Sequence, residues 1–317
     1  MYQEKKRRRK RLTQVLISSF IAVAIIGLLF FVSYGRDMPV LDTKGLIANQ
    51  QRDLIYITLA LGMFIVIPVF IMLFTIAWRY RAGNTKAKYQ PNFSGHKGLE
   101  ALWWGVPFVI IIILGIITAI STHALDPYKP IESSAEPIKI QVISMNWRWL
   151  FIYPDEGIAT INYINIPKDT PVNFTITSDA PMNSFWIPAL AGQVYSMTGM
   201  STKLHVMADD PGTFNGFSSN ISGEGFADMR FKVNAMNEDT YKEWTVKTAA
   251  DTTNASLTKD TYKAISATSH DSSQKTFLLM DSNLYNKVVM KYMSHEMPVM
   301  KKSDDHEMSG HQQEMSM

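Results

Sequence analysis

Three long apolar runs occupy the first part of the chain, and strict alternation replaces them afterwards. The runs extend from about Leu12 to Val32, from Leu54 to Trp78 and from Ala101 to Thr122. Each is close to the ~20 apolar residues a helix needs to cross a bilayer. Pro68 and Pro107 lie inside the second and third runs, where membrane helices tolerate proline better than soluble ones do. From Ile138 the period changes to two, in "IKIQV", "VNFTIT", "KLHVM" and "MRFKV", with turn chemistry at "YPDEG", "IPKDTP" and "DDPG". Short alternating strands at this spacing predict a β-sandwich of about 100 residues. The aromatic segment "NWRWLFIY" is too rich in large rings to face water on both sides, so part of it fills the core or packs on another protein. After about Asn237 the strand signal stops. "DTYKEWTVKTAA", "TKDTYKAISA" and "DSNLYNKVVMKYM" read as short helices between polar loops.

Charge orients the runs. "KKRRRKR" at positions 5–11 precedes the first, and the loop between the second and third carries Arg79, Arg81, Lys86, Lys88 and Lys97 without an acid. Basic flanks stay in the cytoplasm, so both segments predict a cytoplasmic face, with everything after His123 outside. Trp78, Tyr80, Trp103 and Trp104 fall where aromatic belts form. The first run also fits a signal peptide, but it exceeds the roughly 7–15 residues of such an apolar region. It is therefore predicted to remain as an anchor.

The chain has 317 residues and no cysteine, which excludes disulfides, thiolate metal sites and a cysteine-linked lipid. The net charge of +3 is too small to argue for nucleic acid. The expected division is an anchor (1–35), a membrane hairpin with its cytoplasmic loop (36–123), an outer sandwich (124–237), a helical region (238–293) and a disordered Met/His-rich tail (294–317).

Four stretches in order resemble subunit II of the haem–copper oxidases: "LEALWWGVPFVIIII", "MNWRWLFIYPDEGIAT", "DAPMNSFWIPALAGQVYSMTGM" and "PGTFNGFSSNISGEGFADM". The resemblance spans about Val40 to Ala235. It implies a membrane-anchored α+β chain: a transmembrane hairpin, plus an extra N-terminal helix, followed by a cupredoxin-like Greek-key sandwich and a short helical C-terminal region.

Departures from the family pattern set the subtype. In cytochrome c-accepting members the last stretch holds most of a dicopper centre. On matching positions its thiolates would fall at Ser218 and Ser222 and its histidines at Asn183 and Phe226, with Asn220 in the same loop. Met229 keeps the methionine position. Hydroxyl and amide oxygens are hard, neutral donors unsuited to a copper pair, and phenylalanine has no lone pair. The wording of the motifs is closest to the bo-type ubiquinol oxidases, which take electrons from quinol in the membrane. That resemblance implies no redox cofactor and no cytochrome c on this chain. Haems and copper are expected in partner subunit I, with subunits III and IV and membrane lipid as further partners, in a bacterial inner membrane. The complex would oxidise quinol, reduce oxygen and move protons outward, with this chain bracing subunit I on the periplasmic side. Bo-type subunits II usually carry a lipoprotein cysteine after the first apolar stretch, and "FVSYGRDMPVLD" has none.

Individual residues carry two readings each. Glu100 is an acid at a helix N-terminus, which the dipole stabilises by ~0.3–1 kcal/mol, or the mouth of a proton path into subunit I. Trp147 and Trp149 are expected on one strand face, packed on subunit I. His295, His306 and His311, among tail methionines, make a flexible tail or a copper-capturing one. The tail also supports a rival function, a membrane-anchored copper carrier. His96, His123, His205 and His270 have no ligand-like spacing.

Overall fold

The structure is a computed structural model that describes residues 38–81, 83–85 and 95–293. The first apolar run, most of the basic loop and the tail with His295, His306 and His311 lie outside the described residues.

The two remaining apolar runs form α1 (Leu46–Arg79) and α2 (Lys97–Ala124), each containing its proline. Their large apolar side chains point outward almost without exception, which is the pattern of helices solvated by lipid. At 34 residues α1 is about 51 Å long, well beyond the hydrocarbon thickness. It starts eight residues before the apolar run. These extra turns dock on the outer domain. The Leu46 and Ala48 amides, which have no partner within the helix, donate to the Met207 and Leu190 carbonyls at 3.2 and 3.1 Å. Gly45 pairs with Ala208, and a Cβ there would lie 2.8 Å from the Met207 carbonyl. Asn49 Nδ2 adds a 2.7 Å hydrogen bond to Asp209 Oδ2. A helix capped by the backbone of another unit cannot pivot freely against it.

The outer domain is a cupredoxin-like sandwich of two sheets. Its strands are β1 (Ile138–Ser144), β2 (Trp149–Tyr153), β3 (Ile158–Ile161), β4 (Tyr163–Pro167), β5 (Val172–Ser178), β6 (Asn183–Trp186), β7 (Val194–Ser196), β8 (Thr202–Val206), β9 (Gly212–Ser218), β10 (Arg230–Met236), β11 (Ala255–Leu257) and β12 (Lys275–Leu279). One sheet has the order β11-β12-β3-β2-β1-β5-β8 and the other β4-β10-β9-β6-β7. The helices α3 (Glu238–Ala250), α4 (Lys259–Ser266) and α5 (Leu284–Met293) follow.

Two of these strands correct the sequence reading, since β11 and β12 lie beyond Asn237. β12 pairs antiparallel with β3, so the C-terminal region completes the larger sheet. The reason is visible in β2, which is buried on both faces. Trp149, Phe151 and Tyr153 enter the core between the sheets, while Leu150 and Ile152 face a second core formed with Tyr262, Phe277, Leu284, Tyr285 and Val288. Without the C-terminal region that second face would be an exposed apolar patch.

Candidate functional site: a glycine-rich loop held by hydrogen bonds

The residues at the resemblance-implied dicopper positions meet at one end of the sandwich. Asn183 opens β6 and Ser218 ends β9, and both are buried. Ser218 Oγ donates to Asn183 Oδ1 at 2.8 Å, and Asn183 Nδ2 donates to Ser144 Oγ at 2.8 Å and to the Pro181 carbonyl at 3.0 Å. Asn220 Nδ2 ties the loop to the Met182 carbonyl at 2.8 Å. The Ser218 amide pairs with the Met229 carbonyl at 3.1 Å. The Met229 side chain is 1% exposed and belongs to the core between the sheets. Ser222 Oγ is buried without a hydrogen-bond partner. Phe226 sits half-buried on a 3-10 turn (Glu224–Asp228).

These groups do not fit a dicopper centre. The amide and hydroxyl oxygens are hard donors, and those of Asn183 and Ser218 are already committed to each other. Met229 offers one thioether that is packed as a core side chain. Among the described residues no three His, Cys, Asp or Glu side chains converge.

Of the tryptophan pair, which the sequence reading placed on one strand face, only Trp149 lies on a strand, although Trp147 packs against the same core cluster. Trp149 begins β2, is fully buried, and packs edge-on against Phe185 and Phe231 at 5.3 and 5.8 Å. Trp147 lies in the β1–β2 turn with φ of 64°, a left-handed conformation. Its indole packs against the glycine-rich loop at Gly223 and Gly225. A Cβ on Gly225 would sit 2.3 Å from Trp147 Cδ2, and one on Gly223 would sit 3.2 Å from Cζ2. The glycines of the loop are thus required by the close approach of this ring. His270 stacks against Trp147, with ring centroids 4.8 Å apart.

One residue escaped the sequence reading altogether. Asp179, on the segment leading to β6, accepts hydrogen bonds from Tyr262 Oη at 2.7 Å, Tyr292 Oη at 2.7 Å and Lys291 Nζ at 2.6 Å. Burial beside this carboxylate raises the Tyr262 pKa above the ordinary phenol value, and the hydrogen bond to Asp179 raises that of Lys291. The carboxylate therefore clamps α4 and α5 to the edge of the site. Only the tyrosine and lysine content of those helices hinted at it.

At the opposite end of α2, His96 caps the helix by accepting from the Leu99 amide at 3.2 Å, and Glu100 follows in the first turn. Glu100 is exposed, and its Oε1 curls to within 2.6 Å of where a Cβ on Gly95 would be.

A profile described as the periplasmic domain of cytochrome c oxidase subunit II matches residues 157–236. Cytochrome bo(3) ubiquinol oxidase subunit 2 of Pseudomonas aeruginosa is 47% identical over 261 residues, which cover 82% of this chain and 78% of that protein. The chain belongs to the ubiquinol oxidase subunit 2 family. Ubiquinol oxidase subunit 2 of Acetobacter aceti is 40% identical over 260 residues, 81% of this chain and 84% of the relative. Among solved structures, the periplasmic domain of cytochrome oxidase subunit II of Bradyrhizobium japonicum shares 18% identity, covers 37% of this chain and 96% of its own, and has a TM-score of 0.35. The chain is thus subunit II of a quinol oxidase, a member of a haem–copper oxidase complex anchored in a membrane. The rival reading of a stand-alone copper carrier finds no support among these relatives.

Proposed function

We propose that this subunit carries no redox centre and serves the oxidase by bracing subunit I on the periplasmic side of the inner membrane, with its own N-terminus in the cytoplasm. Quinol oxidation, oxygen reduction and outward proton movement take place on the haems and copper of subunit I, with subunits III and IV completing the complex. The observation that carries this reading is the hydrogen bond between Ser218 and Asn183, at two positions where the resemblance places copper ligands, continued by Asn183 to Ser144. Buried polar groups that satisfy one another need no metal to hold them.

Bracing follows from two features. The sandwich caps the N-terminus of α1, so membrane helix and outer domain move together. The glycine-rich loop also exposes Ile221, 82% accessible, beside Met182. Trp147 lies beneath this loop and supports it, and we assign the loop to the face that meets subunit I. Glu100, on the cytoplasmic end of α2, is a candidate proton collector for subunit I, where an exposed carboxylate beside the bilayer can exchange protons with the cytoplasm.

Metal analysis of the purified oxidase tests the central claim. The expected result is copper equal to the single ion of subunit I. Copper in excess of that ion, lost on replacing Met229 by Leu, would overturn it.

A further inference from the structure

We propose that the junction of the membrane helices with the sandwich binds one zwitterionic aminophospholipid of the outer leaflet, its headgroup in a cavity beneath β8 and an acyl chain along α1. The inference goes beyond the bracing role and requires only that α1 and α2 span the membrane. After α2 ends at Ala124, the chain crosses the base of α1 on its way to β1, leaving a cavity of about 310 Å³. Gln50 and Gln51 of α1 line it, four and three residues before the apolar run begins at Leu54. At 1.5 Å per residue the cavity therefore lies about 5 Å outside the hydrocarbon edge, at headgroup depth.

Its polar lining suits both charges of such a headgroup. Lys129 provides a cation for a phosphate, and Asp126 and Glu132 provide carboxylates for an ammonium group. His205, on β8 and only 7% exposed, completes the acceptor side. Its Nδ1 meets Asn173 Oδ1 at 2.6 Å, so with that oxygen as acceptor Nδ1 carries the proton and Nε2 is a lone-pair acceptor. Nε2 is buried and lacks a hydrogen-bond partner of good geometry. The Tyr128 carbonyl, which lies against the ring, is an acceptor and is satisfied by Nε2 only in the other tautomer. Burial, with Lys203 adding to it, keeps the His205 pKa below the ordinary histidine value, so the imidazole is neutral at pH 7. A buried acceptor in a cavity that two carboxylates also line calls for a donor with positive charge, which an ammonium headgroup supplies.

The apolar half of the site continues from the polar half. Gln50, Leu54, Thr58, Gly62 and Val66 form an i, i+4 row, so each sits beside the next on the surface of α1. The last four line a shallow apolar groove together with Ile55, Leu59 and Met63. Gly62 leaves the middle of that groove open, since no atom lies within 4 Å of a Cβ placed there. One acyl chain can therefore lie in a track that opens into the headgroup cavity.

Lipid analysis and native mass spectrometry of the complete oxidase, after stepwise delipidation, provide the test. The expected result is phosphatidylethanolamine retained after the annular lipid is gone, with phosphatidylglycerol washed out. Glu132→Lys, which removes an ammonium partner, and Gly62→Phe, which fills the hollow, should each weaken retention about tenfold, the scale of one charge-assisted contact. Haem content and subunit stoichiometry would report intact complexes, and if one variant fails to assemble the other decides. No retained lipid in the wild-type complex would overturn the proposal and point to a partner subunit filling the cavity. Equal retention of phosphatidylglycerol, or retention unchanged in both variants, would also overturn it.

Discussion

Replacing Ser218 by Ala is the sharpest probe of a loop held by hydrogen bonds. The substitution removes the hydroxyl that donates to Asn183 Oδ1 at 2.8 Å and leaves that carbonyl buried, because Asn183 is 1% exposed. An unsatisfied buried acceptor costs about 1–3 kcal/mol. The cost falls locally, since Asn183 keeps its bonds to Ser144 and Pro181 and the sandwich core is untouched. Local opening of residues 218–229 should therefore become about 5- to 150-fold more frequent, the Boltzmann equivalent of that range. Hydrogen–deuterium exchange of the purified oxidase, read on peptides covering β9 to β10, measures this directly. Peptides from β2 and β5 provide the internal control. Removing copper with a chelator should leave the wild-type loop unchanged. Exchange that ignores Ser218→Ala but accelerates with the chelator would refute the reasoning, because a metal would then be holding the loop.

Three further outcomes follow from the geometry. Trp147→Ala should weaken attachment of this subunit to subunit I by about 2 kcal/mol, the scale of an interface hot spot, while Trp149→Ala should instead destabilise the sandwich by about 3–5 kcal/mol; detergent titration of subunit dissociation and thermal unfolding separate the two. Folding stability should fall as pH drops through the ordinary histidine range, because the unfolded chain takes up a proton that buried His205 refuses; His205→Gln should flatten this slope in denaturant midpoints measured at neutral and mildly acidic pH. Glu100→Ala should slow turnover of the assembled oxidase without changing its haem content, and unchanged turnover would assign Glu100 to the helix dipole alone.

What the sequence determined by itself was whatever depends on local period and residue chemistry. The apolar runs specified α1 and α2, the alternation specified β1, β5, β8 and β10, and the absence of cysteine excluded bridging thiolates. The tertiary structure decided what depends on contacts between distant segments. Trp147 took a left-handed turn conformation at the rim of the core while Trp149, Phe151 and Tyr153 filled it, a difference in depth that alternation does not encode. β11 and β12 are too short to announce themselves and exist because the outer face of β2 needed cover. The first turns of α1 became helical where their amides found carbonyls on the sandwich, and Asp179 became a clamp only once α4 and α5 were folded against it. Periodicity records which side of an element is buried. It does not record against what, because that contact is made by residues distant in the chain.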